Sequence, residues 1–465
     1  MAPVLRAYDL LIVIVALAGM AFAALHAIQG RRGNDGSEYF LARREIGWVP
    51  LGVSLFVTTV WGFWSFVLAE PLADGSLGWL LPGAFTVGAL MALGTVFVPR
   101  YKASGVATVP SFLSERYGTP VGAAVALASI GLTLFAQIPF TILIGTQLIN
   151  ALTGWDTMSS GLLMVVVPGL FVVAGGYPAM IAAQTAGGIA AGVGVLCLAA
   201  IGFPGGAVVL HRALPDTGSS WTLLISGMAI LGLWSLCMDQ HVVQRVFSAR
   251  SEGQARAGSL AAAAAVLLGV VALSVGFGRN GSAEPGLGAS GFAGGFVVAA
   301  ILAFAMSTLS GQFMSVATLM SMDIVRPDRK GSGEAALVLA GRLTNTVVVI
   351  LAILTASSIG LIGPALLDWM IPAVAAIVPP IAAVLLLGLF WPRMHGRGAW
   401  WALIAGWAIG LTQAGLMSEP GVQTVESAIA TFVVSSVVLV LVSLTVAPLG
   451  TLGKMPGTVL QVRKP

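Results

Sequence analysis

Apolar runs of about 20 residues recur along the whole chain and limit its fold more than any other feature. A helix of that length crosses the hydrocarbon core of a bilayer, where backbone groups must bond within their own segment. Hydrophobic residues make up 57% of the sequence and charged residues 9%, whereas a soluble domain carries about 25% charged residues. The sequence therefore predicts an all-α polytopic membrane protein.

The apolar runs divide into thirteen predicted spans, several of them long enough to require tilt. The first ends in a basic loop without a small-residue cleavage site, so we expect a retained helix and not a signal peptide. The predicted spans are 8–28, 48–70, 78–99, 119–152, 158–175, 177–203, 220–240, 256–277, 291–325, 334–360, 363–392, 398–417 and 421–447.

The positions of lysine and arginine predict the orientation of these spans. With the N-terminus outside and the C-terminus inside, all but three of the 22 basic residues fall inside, the exceptions being Arg6, Arg212 and Arg279. The bases are scattered over short loops, which is not the clustered patch that a nucleic-acid partner requires. We therefore expect a multi-pass protein of the plasma (cell inner) membrane.

Spans two to six and seven to eleven form two groups of five, so the second group is inverted relative to the first. Many secondary transporters have this architecture, with the binding site at the midplane between the repeats. We predict a first helix and basic loop (1–47), a first five-helix repeat (48–203), a second five-helix repeat (204–392), and two C-terminal helices with a short tail (393–465).

Glycines interrupt the first span of each group, within 58–65 and within 226–235. Glycine in a membrane helix often serves only close packing. Because the interruptions occupy matching positions in the two groups, we expect a broken helix in each.

The segment FAMSTLSGQFMSVATLMSMDIV (304–325) places many polar side chains inside a predicted span. Adjacent hydroxyls at Ser307 and Thr308 could bind a cation, or could simply bond the preceding turn or a neighbouring helix. Ser315 and Thr318 lie on nearly the same face as Ser307, which fits either an inward exit path or helix packing. Asp323 is expected to pair with Arg326 and Arg329 in the following loop.

Several stretches resemble the sodium:solute symporter family, in the family's order and at plausible spacing. They are DGSEYFLARREIGWVPLGVSLFVTT (35–59), VPRYKASGVATVPSFLSERYG (98–118), MDQHVVQRVFSARSEGQARAG (238–258), VPPIAAVLLLGLFWPRMHGRGAWWALIAG (378–406) and the polar segment 304–325. The resemblance implies a LeuT-like fold of two inverted five-helix repeats. It also implies coupling of sodium to a sugar, amino acid, vitamin or small organic acid.

The resemblance also implies a sodium site, carried over residue by residue. Its ligands would be the hydroxyls of Ser307 and Thr308 and the carbonyls of Phe304, Thr58 and Trp61, the last two freed by a break in the first core helix. No other metal is expected. Family members that bind a second sodium use an aspartate where this chain has Gln184, and a position four residues after Ser307 that is Gly311 here. We therefore expect one sodium per cycle.

The predicted substrate contacts are aromatic or polar side chains without charge: Trp64, Ser65, Gln137, Trp234 and Ser235. No lysine or arginine is predicted at mid-depth, which favours a small neutral or zwitterionic solute, with a monocarboxylate as an alternative. The loop motifs most resemble the sugar-transporting branch. Its sugar-binding positions, however, carry residues that offer few directed hydrogen bonds, namely Ser65, Gly83, Thr86, Gly232, Ser235 and Val266.

We predict sodium-coupled symport by alternating access, with a small solute, sodium and the bilayer as partners and the monomer as functional unit. The alternatives are a proton-coupled or uncoupled carrier and a non-transporting membrane sensor.

Asp239 and His241 could form a proton relay, but a loop pairing with Arg245 is the favoured role. A sensor would need an appended signalling domain, and the tail after span thirteen is short. No catalytic pair lies at a common depth, so we do not expect an enzyme.

Overall fold

The structure, a computed structural model, describes residues 6–30, 35–67, 80–201, 228–280, 293–325, 333–416 and 422–446. Nearly all of these residues are helical. Within these ranges, nine segments are long and apolar enough to cross a membrane. The predicted all-helical, membrane-spanning class is therefore confirmed.

The helices of the first half follow the predicted spans closely. Two π-helical segments, Leu93–Phe97 and Thr133–Gln137, join neighbouring helices into longer spans. The helices are α1 (Ala7–Gln29), α2 (Gly36–Leu41), α3 (Trp48–Val67), α4 (Leu80–Ala92), α5 (Val98–Ser104), α6 (Val109–Tyr117), α7 (Thr119–Leu132), α8 (Ile138–Thr153) and α9 (Thr157–Ile201).

The described part of the second half begins with a π-helical segment, Met228–Gly232, and a second one, Met320–Val325, follows its central helix. Most of the predicted span 220–240 lies outside the described residues. The helices are α10 (Leu233–Cys237), α11 (Gln240–Ser248), α12 (Glu252–Asn280), α13 (Ala293–Leu319), α14 (Gly333–Phe390), α15 (Gly396–Leu416) and α16 (Val422–Val446).

Two of these helices each contain two predicted spans. In α9 the junction is Gly176, whose φ of 65° and ψ of −150° interrupt the helix. A Cβ at this position would lie 2.6 Å from the carbonyl oxygen of Tyr39, so only glycine fits here. In α14 the two candidate spans are Gly333–Gly363 and Ala365–Phe390.

The break predicted within 58–65 is wrong. Helix α3 runs without interruption from Trp48 to Val67. A single glycine such as Gly62 costs only about 1 kcal/mol in a helix interior, whereas backbone groups freed in a membrane must find new partners. The second predicted interruption is partly present, because Gly232 closes the π-helical segment Met228–Gly232, while Gly227 lies outside the described residues.

Helix α13 forms the centre of the fold and packs against α9, α1, α3, α8 and α14. Burial reaches 94% of the residues in its most apolar window. A helix that is buried all round never faces lipid, so its polar side chains meet protein groups instead of hydrocarbon. This placement explains why the segment 304–325 tolerates so many hydroxyls.

The short helix α11 is buried along its whole length, from Gln240 to Ser248. The side chain of Asp239 caps it by accepting a hydrogen bond from the backbone N–H of His241. At its other end, Ile46 and Ala249 form an isolated β-bridge that ties the helix to the segment before α3. Helix α11 is thereby held against α3 and α13.

Candidate functional site

The adjacent hydroxyls on α13 have different environments. Both residues are buried, Ser307 completely. The Oγ1 of Thr308 donates to the carbonyl oxygen of Phe304 at 3.0 Å, the local bond that membrane helices commonly show. The Oγ of Ser307 has no hydrogen-bond partner among the residues that the structure describes. A buried hydroxyl without a partner costs about 1–3 kcal/mol, so this oxygen is available to a ligand.

Helix α3 lies against this part of α13, and the rings of Phe56 and Phe304 meet edge to face with 5.9 Å between centroids. Thr58 and Trp61 are both buried. Because α3 is continuous here, the Thr58 carbonyl accepts a bond from its own helix. Each carbonyl oxygen has two lone pairs, which leaves one for a cation.

A guanidinium lies beside these residues. Arg245 of α11 is fully buried. It donates from Nε to Ser54 Oγ at 2.6 Å and from Nη2 to Thr58 Oγ1 at 2.7 Å. Its Nη1 donates to the carbonyl oxygen of His241. No carboxylate forms an ion pair with Arg245 in the described ranges, so neutral oxygens alone satisfy this cation.

Gln184 of α9 joins the two helices of the site. Its Nε2 donates to the carbonyl oxygen of Ser307 at 2.8 Å and to Ser310 Oγ at 3.0 Å. Its Oε1 accepts from Ser54 Oγ and, at 3.2 Å, from Arg245 Nη2. A Cβ at Gly311 would lie 3.2 Å from the same Nη2. The absent side chain at 311 therefore leaves room for the guanidinium.

Of the residues predicted to contact substrate, Gln137, Trp234 and Ser235 lie near the junction of α10 and α11. Gln137 Nε2 donates to Asp239 Oδ2 at 2.5 Å, and its Oε1 accepts from Thr133 Oγ1 at 3.1 Å. Trp234 is buried, and its carbonyl oxygen accepts the N–H of Asp239 at 2.9 Å. Ser235 follows in α10 and is half-buried. Trp64 and Ser65 are on α3, but their side chains lie outside the described part of the structure.

Comparison with known proteins identifies the class. Residues 39–212 and 287–406 match the model of the sodium:solute symporter family. These two segments cover more than half of the chain. The chain belongs to the sodium:solute symporter family. It is a membrane transporter and not an enzyme, and sodium is the coupling ion that its family implies.

The symporter is similar to several curated sugar transporters. It is 28% identical to sodium/glucose cotransporter 4 of Mus musculus over 88% of this chain and 68% of the relative. It is 29% identical to a sodium/mannose cotransporter of Bos taurus over 81% of this chain and 73% of the relative. Among solved structures, it shares its fold with a Na⁺-coupled sialic acid symporter. The TM-score is 0.77 at 15% identity, over 95% of this chain and 98% of that one.

The expected pairing of Asp239 with Arg245 is wrong for this symporter. Asp239 Oδ1 lies 2.9 Å from His241 Nδ1, and its other oxygen accepts from Gln137. The donors of Arg245 instead reach Ser54, Thr58 and Gln184. The reason is that Arg245 is on the buried helix α11 and lies in the protein interior. The prediction had treated it as a solvent-exposed residue of a loop.

The remaining polar residues of 304–325 have separate roles. Thr318 Oγ1 donates to the carbonyl oxygen of Met314 and accepts from Gln244 Nε2 at 2.8 Å, which fits helix packing. Ser315 Oγ is buried and has no hydrogen-bond partner in the described ranges. Asp323 Oδ1 accepts from Thr108 and Ser111 at the start of α6. Its expected partners, Arg326 and Arg329, lie outside the described residues.

Sequence reasoning missed Ser54 and Arg245 as part of the site. A signal for Arg245 was present, because Val242, Val243, Val246 and Phe247 recur at helical spacing around it. Such a pattern is typical of a buried short helix and not of a solvated loop. No comparable signal exists for Ser54, whose role depends on which residue of another helix faces it.

Proposed function

We propose that this symporter couples the inward movement of sodium to the uptake of a small neutral or zwitterionic organic solute by alternating access. The observation that supports it best is the hydroxyl of Ser307, fully buried and without a hydrogen-bond partner in the described part of the chain. A bound cation would satisfy its lone pairs and remove the cost of leaving them buried.

The proposed sodium ligands are the hydroxyls of Ser307 and Thr308 and the carbonyls of Phe304, Thr58 and Trp61. Oxygen ligands of this kind can replace the hydration shell of an alkali cation without a carboxylate. Thr308 retains oxygen lone pairs while it donates to Phe304. The continuous α3 supports this site less well than a broken helix would, because its carbonyls also serve the helix.

We further propose that one sodium moves per cycle. Where family members with a second sodium carry an aspartate, Gln184 provides a neutral amide that already contacts Ser307, Ser310 and Ser54. The guanidinium of Arg245 lies beside Gln184 and Gly311. A fixed positive charge at this place opposes a second cation.

The proposed substrate contacts are Trp64, Ser65, Gln137, Trp234 and Ser235. This set offers aromatic surface and a few hydrogen-bonding groups, as small-solute sites usually do. The amide of Gln137 bonds Asp239 and Thr133 in this structure, so a substrate would have to share or displace those bonds. A monocarboxylate remains an alternative substrate.

A hexose is the second candidate substrate, because the relatives include sodium/glucose and sodium/mannose cotransporters. Against it, positions that bind sugar in that branch carry Ser65, Gly83 and Val266 here. A hexose needs several directed hydrogen bonds. Positions that offer so few hydrogen-bonding groups would discriminate poorly among polar solutes. Inhibition of uptake by glucose or mannose would favour this second candidate.

For the setting of the molecule, we propose thirteen spans with the N-terminus outside and the C-terminus inside the cell inner membrane. The four predicted regions, 1–47, 48–203, 204–392 and 393–465, would then be the first helix, two inverted repeats and the C-terminal pair. The monomer is the proposed functional unit.

Reconstituted vesicles test the coupling. A thermal-shift screen of neutral, zwitterionic and sugar solutes, with and without sodium, first selects a ligand, because a ligand that binds the folded state stabilises it. Uptake of that solute should require an inward sodium gradient. The double variant Ser307→Ala/Thr308→Ala should lose it, while Ser435→Ala, a buried hydroxyl on α16, should not. Undiminished uptake in potassium-only buffer would instead establish a proton-coupled or uncoupled carrier.

A further inference from the structure

A cavity of about 680 Å³ lies where the end of α14 and the start of α15 meet the corner between α6 and α7. Its lining includes Arg116, Arg393 and Arg397, and none of its lining residues, all within the described ranges, is acidic. Arginine stays protonated at any physiological pH. The cavity therefore presents a concentrated positive charge with no internal counter-charge.

The base of the cavity is a built part of the fold. Arg116 is only 8% exposed, and its Nη2 donates to the carbonyl oxygen of Pro392 at 2.9 Å. Its guanidinium also lies over the ring of Tyr117, 5.2 Å from the centroid. At Gly396, a Cβ would collide with the backbone of Tyr117. The first turn of α15 is thus held close against the end of α6.

The rim of the cavity carries two available guanidinium groups. Arg393 and Arg397 are exposed, and neither takes part in an ion pair in the portion that the structure describes. The chain after α16, residues 447–465, contains Lys454, Arg463 and Lys464 and no acidic residue. Charge complementarity therefore favours an anionic occupant over this basic tail.

Exposed tryptophans place the cavity at the surface of the bilayer. Trp400 and Trp401 line it and are 38% and 54% exposed. Tryptophan is enriched at the level of the lipid headgroups. The cavity also lies between the ends of two predicted spans, 363–392 and 398–417, on the side that the basic loops assign to the cytoplasm. That leaflet carries the anionic lipids.

We propose that this basic cavity binds the headgroup of an anionic phospholipid. The phosphate lies between Arg393 and Arg397 above Arg116, and the acyl chains pass along Trp400 and Trp401. The bound lipid then joins the α14–α15 corner to the α6–α7 corner. This site is independent of the sodium and substrate proposals.

Lipid titration of the purified protein in detergent tests the proposal. Phosphatidylglycerol should raise the Tm by several degrees, while phosphatidylcholine at the same mole fraction should raise it little. Native mass spectrometry should count one fewer retained phosphatidylglycerol in Arg393→Gln/Arg397→Gln. Each basic group contributes about a fivefold increase in affinity for an anionic lipid, so the double variant should bind about 25-fold more weakly.

The matched control is Arg250→Gln/Arg256→Gln, which removes two exposed arginines outside the cavity. It should respond to phosphatidylglycerol as the wild type does. Two results would overturn the proposal: an equal loss in both double variants, or a full Tm shift with inorganic phosphate or glycerol phosphate in the absence of lipid. The first would mean a diffuse charge effect, and the second a soluble anion as the occupant.

Discussion

Arg245 Nη2 donates a hydrogen bond to Thr58 Oγ1 at 2.7 Å, although Arg245 is on α11 and Thr58 is on α3. The bond places a buried positive charge beside Thr58, whose backbone carbonyl is a proposed sodium ligand. Like charges repel more strongly where water is excluded. At the proposed sodium site, the guanidinium should therefore limit how tightly sodium binds and how many sodium ions bind.

Replacing Ser307 should affect sodium and not the fold. Ser307→Ala removes a hydroxyl that has no hydrogen-bond partner in the described ranges, so the Tm in sodium-free buffer should stay the same or rise slightly. The half-saturating sodium concentration for uptake should rise at least about tenfold, equivalent to about 1.4 kcal/mol. The rise in Tm at a fixed sodium concentration should become smaller, because weaker binding stabilises the folded state less.

Ser259→Ala provides the control for this variant, because that hydroxyl is also buried but donates to the carbonyl oxygen of Ala255 on α12. It should leave the sodium dependence unchanged. Normal sodium dependence in Ser307→Ala would show that Ser307 is not a sodium ligand.

The charge of Arg245 should weaken sodium binding. At an effective dielectric constant of about 20, two unit charges repel by about 4 kcal/mol at about 4 Å and by proportionately less at larger separations. Arg245→Gln removes the charge and should lower the half-saturating sodium concentration by at least about tenfold. Arg245→Lys keeps the charge and should leave it close to the wild-type value.

Both Arg245 variants lose hydrogen bonds to Ser54 and Thr58, so both should have a lower Tm. The comparison of glutamine with lysine therefore separates the electrostatic effect from the structural one. Equal shifts in the sodium dependence of the two variants would contradict a direct effect of the charge.

A stoichiometry of one sodium sets a limit on accumulation. A membrane potential of about 100 mV contributes about 2.3 kcal/mol per charge, and a tenfold sodium gradient contributes about 1.4 kcal/mol. Together they support roughly 500-fold accumulation of a neutral solute. The reversal potential of the transport current should give one charge per solute. Two charges per solute would show that Gln184 and Gly311 do not prevent a second sodium from binding.

Gly176 should be indispensable for folding. Its backbone conformation is accessible almost only to glycine, and an added Cβ would meet Tyr39. We expect Gly176→Ala to destabilise the protein by about 3 kcal/mol or more, measured as a loss of folded protein by size-exclusion chromatography. Gly192→Ala, in the same helix with open space around it, should be neutral or mildly stabilising.

Much of the fold follows from local sequence. Apolar length predicted α1, α3, α12 and α16 with closely matching bounds, because the thickness of the bilayer fixes how long a spanning helix must be. The burial of 304–325 also follows, since so many hydroxyls cannot face lipid. The prediction failed at Gly62. Glycines at matching positions in the two groups of spans suggested a break, and the cost of freeing backbone groups in the membrane prevented it.

The sequence alone predicted most of the long apolar helices and the family, because these depend on composition and on motifs read along the chain. Only the tertiary structure decided the partners of charged and polar side chains. Arg245 reaches Ser54, which is 191 positions away, and Arg116 reaches Pro392, which is 276 positions away. Such contacts depend on how separate helices rotate and cross, and no local pattern records the facing residue. For the same reason, no local pattern predicted the basic cavity, whose lining comes from both α6 and α15.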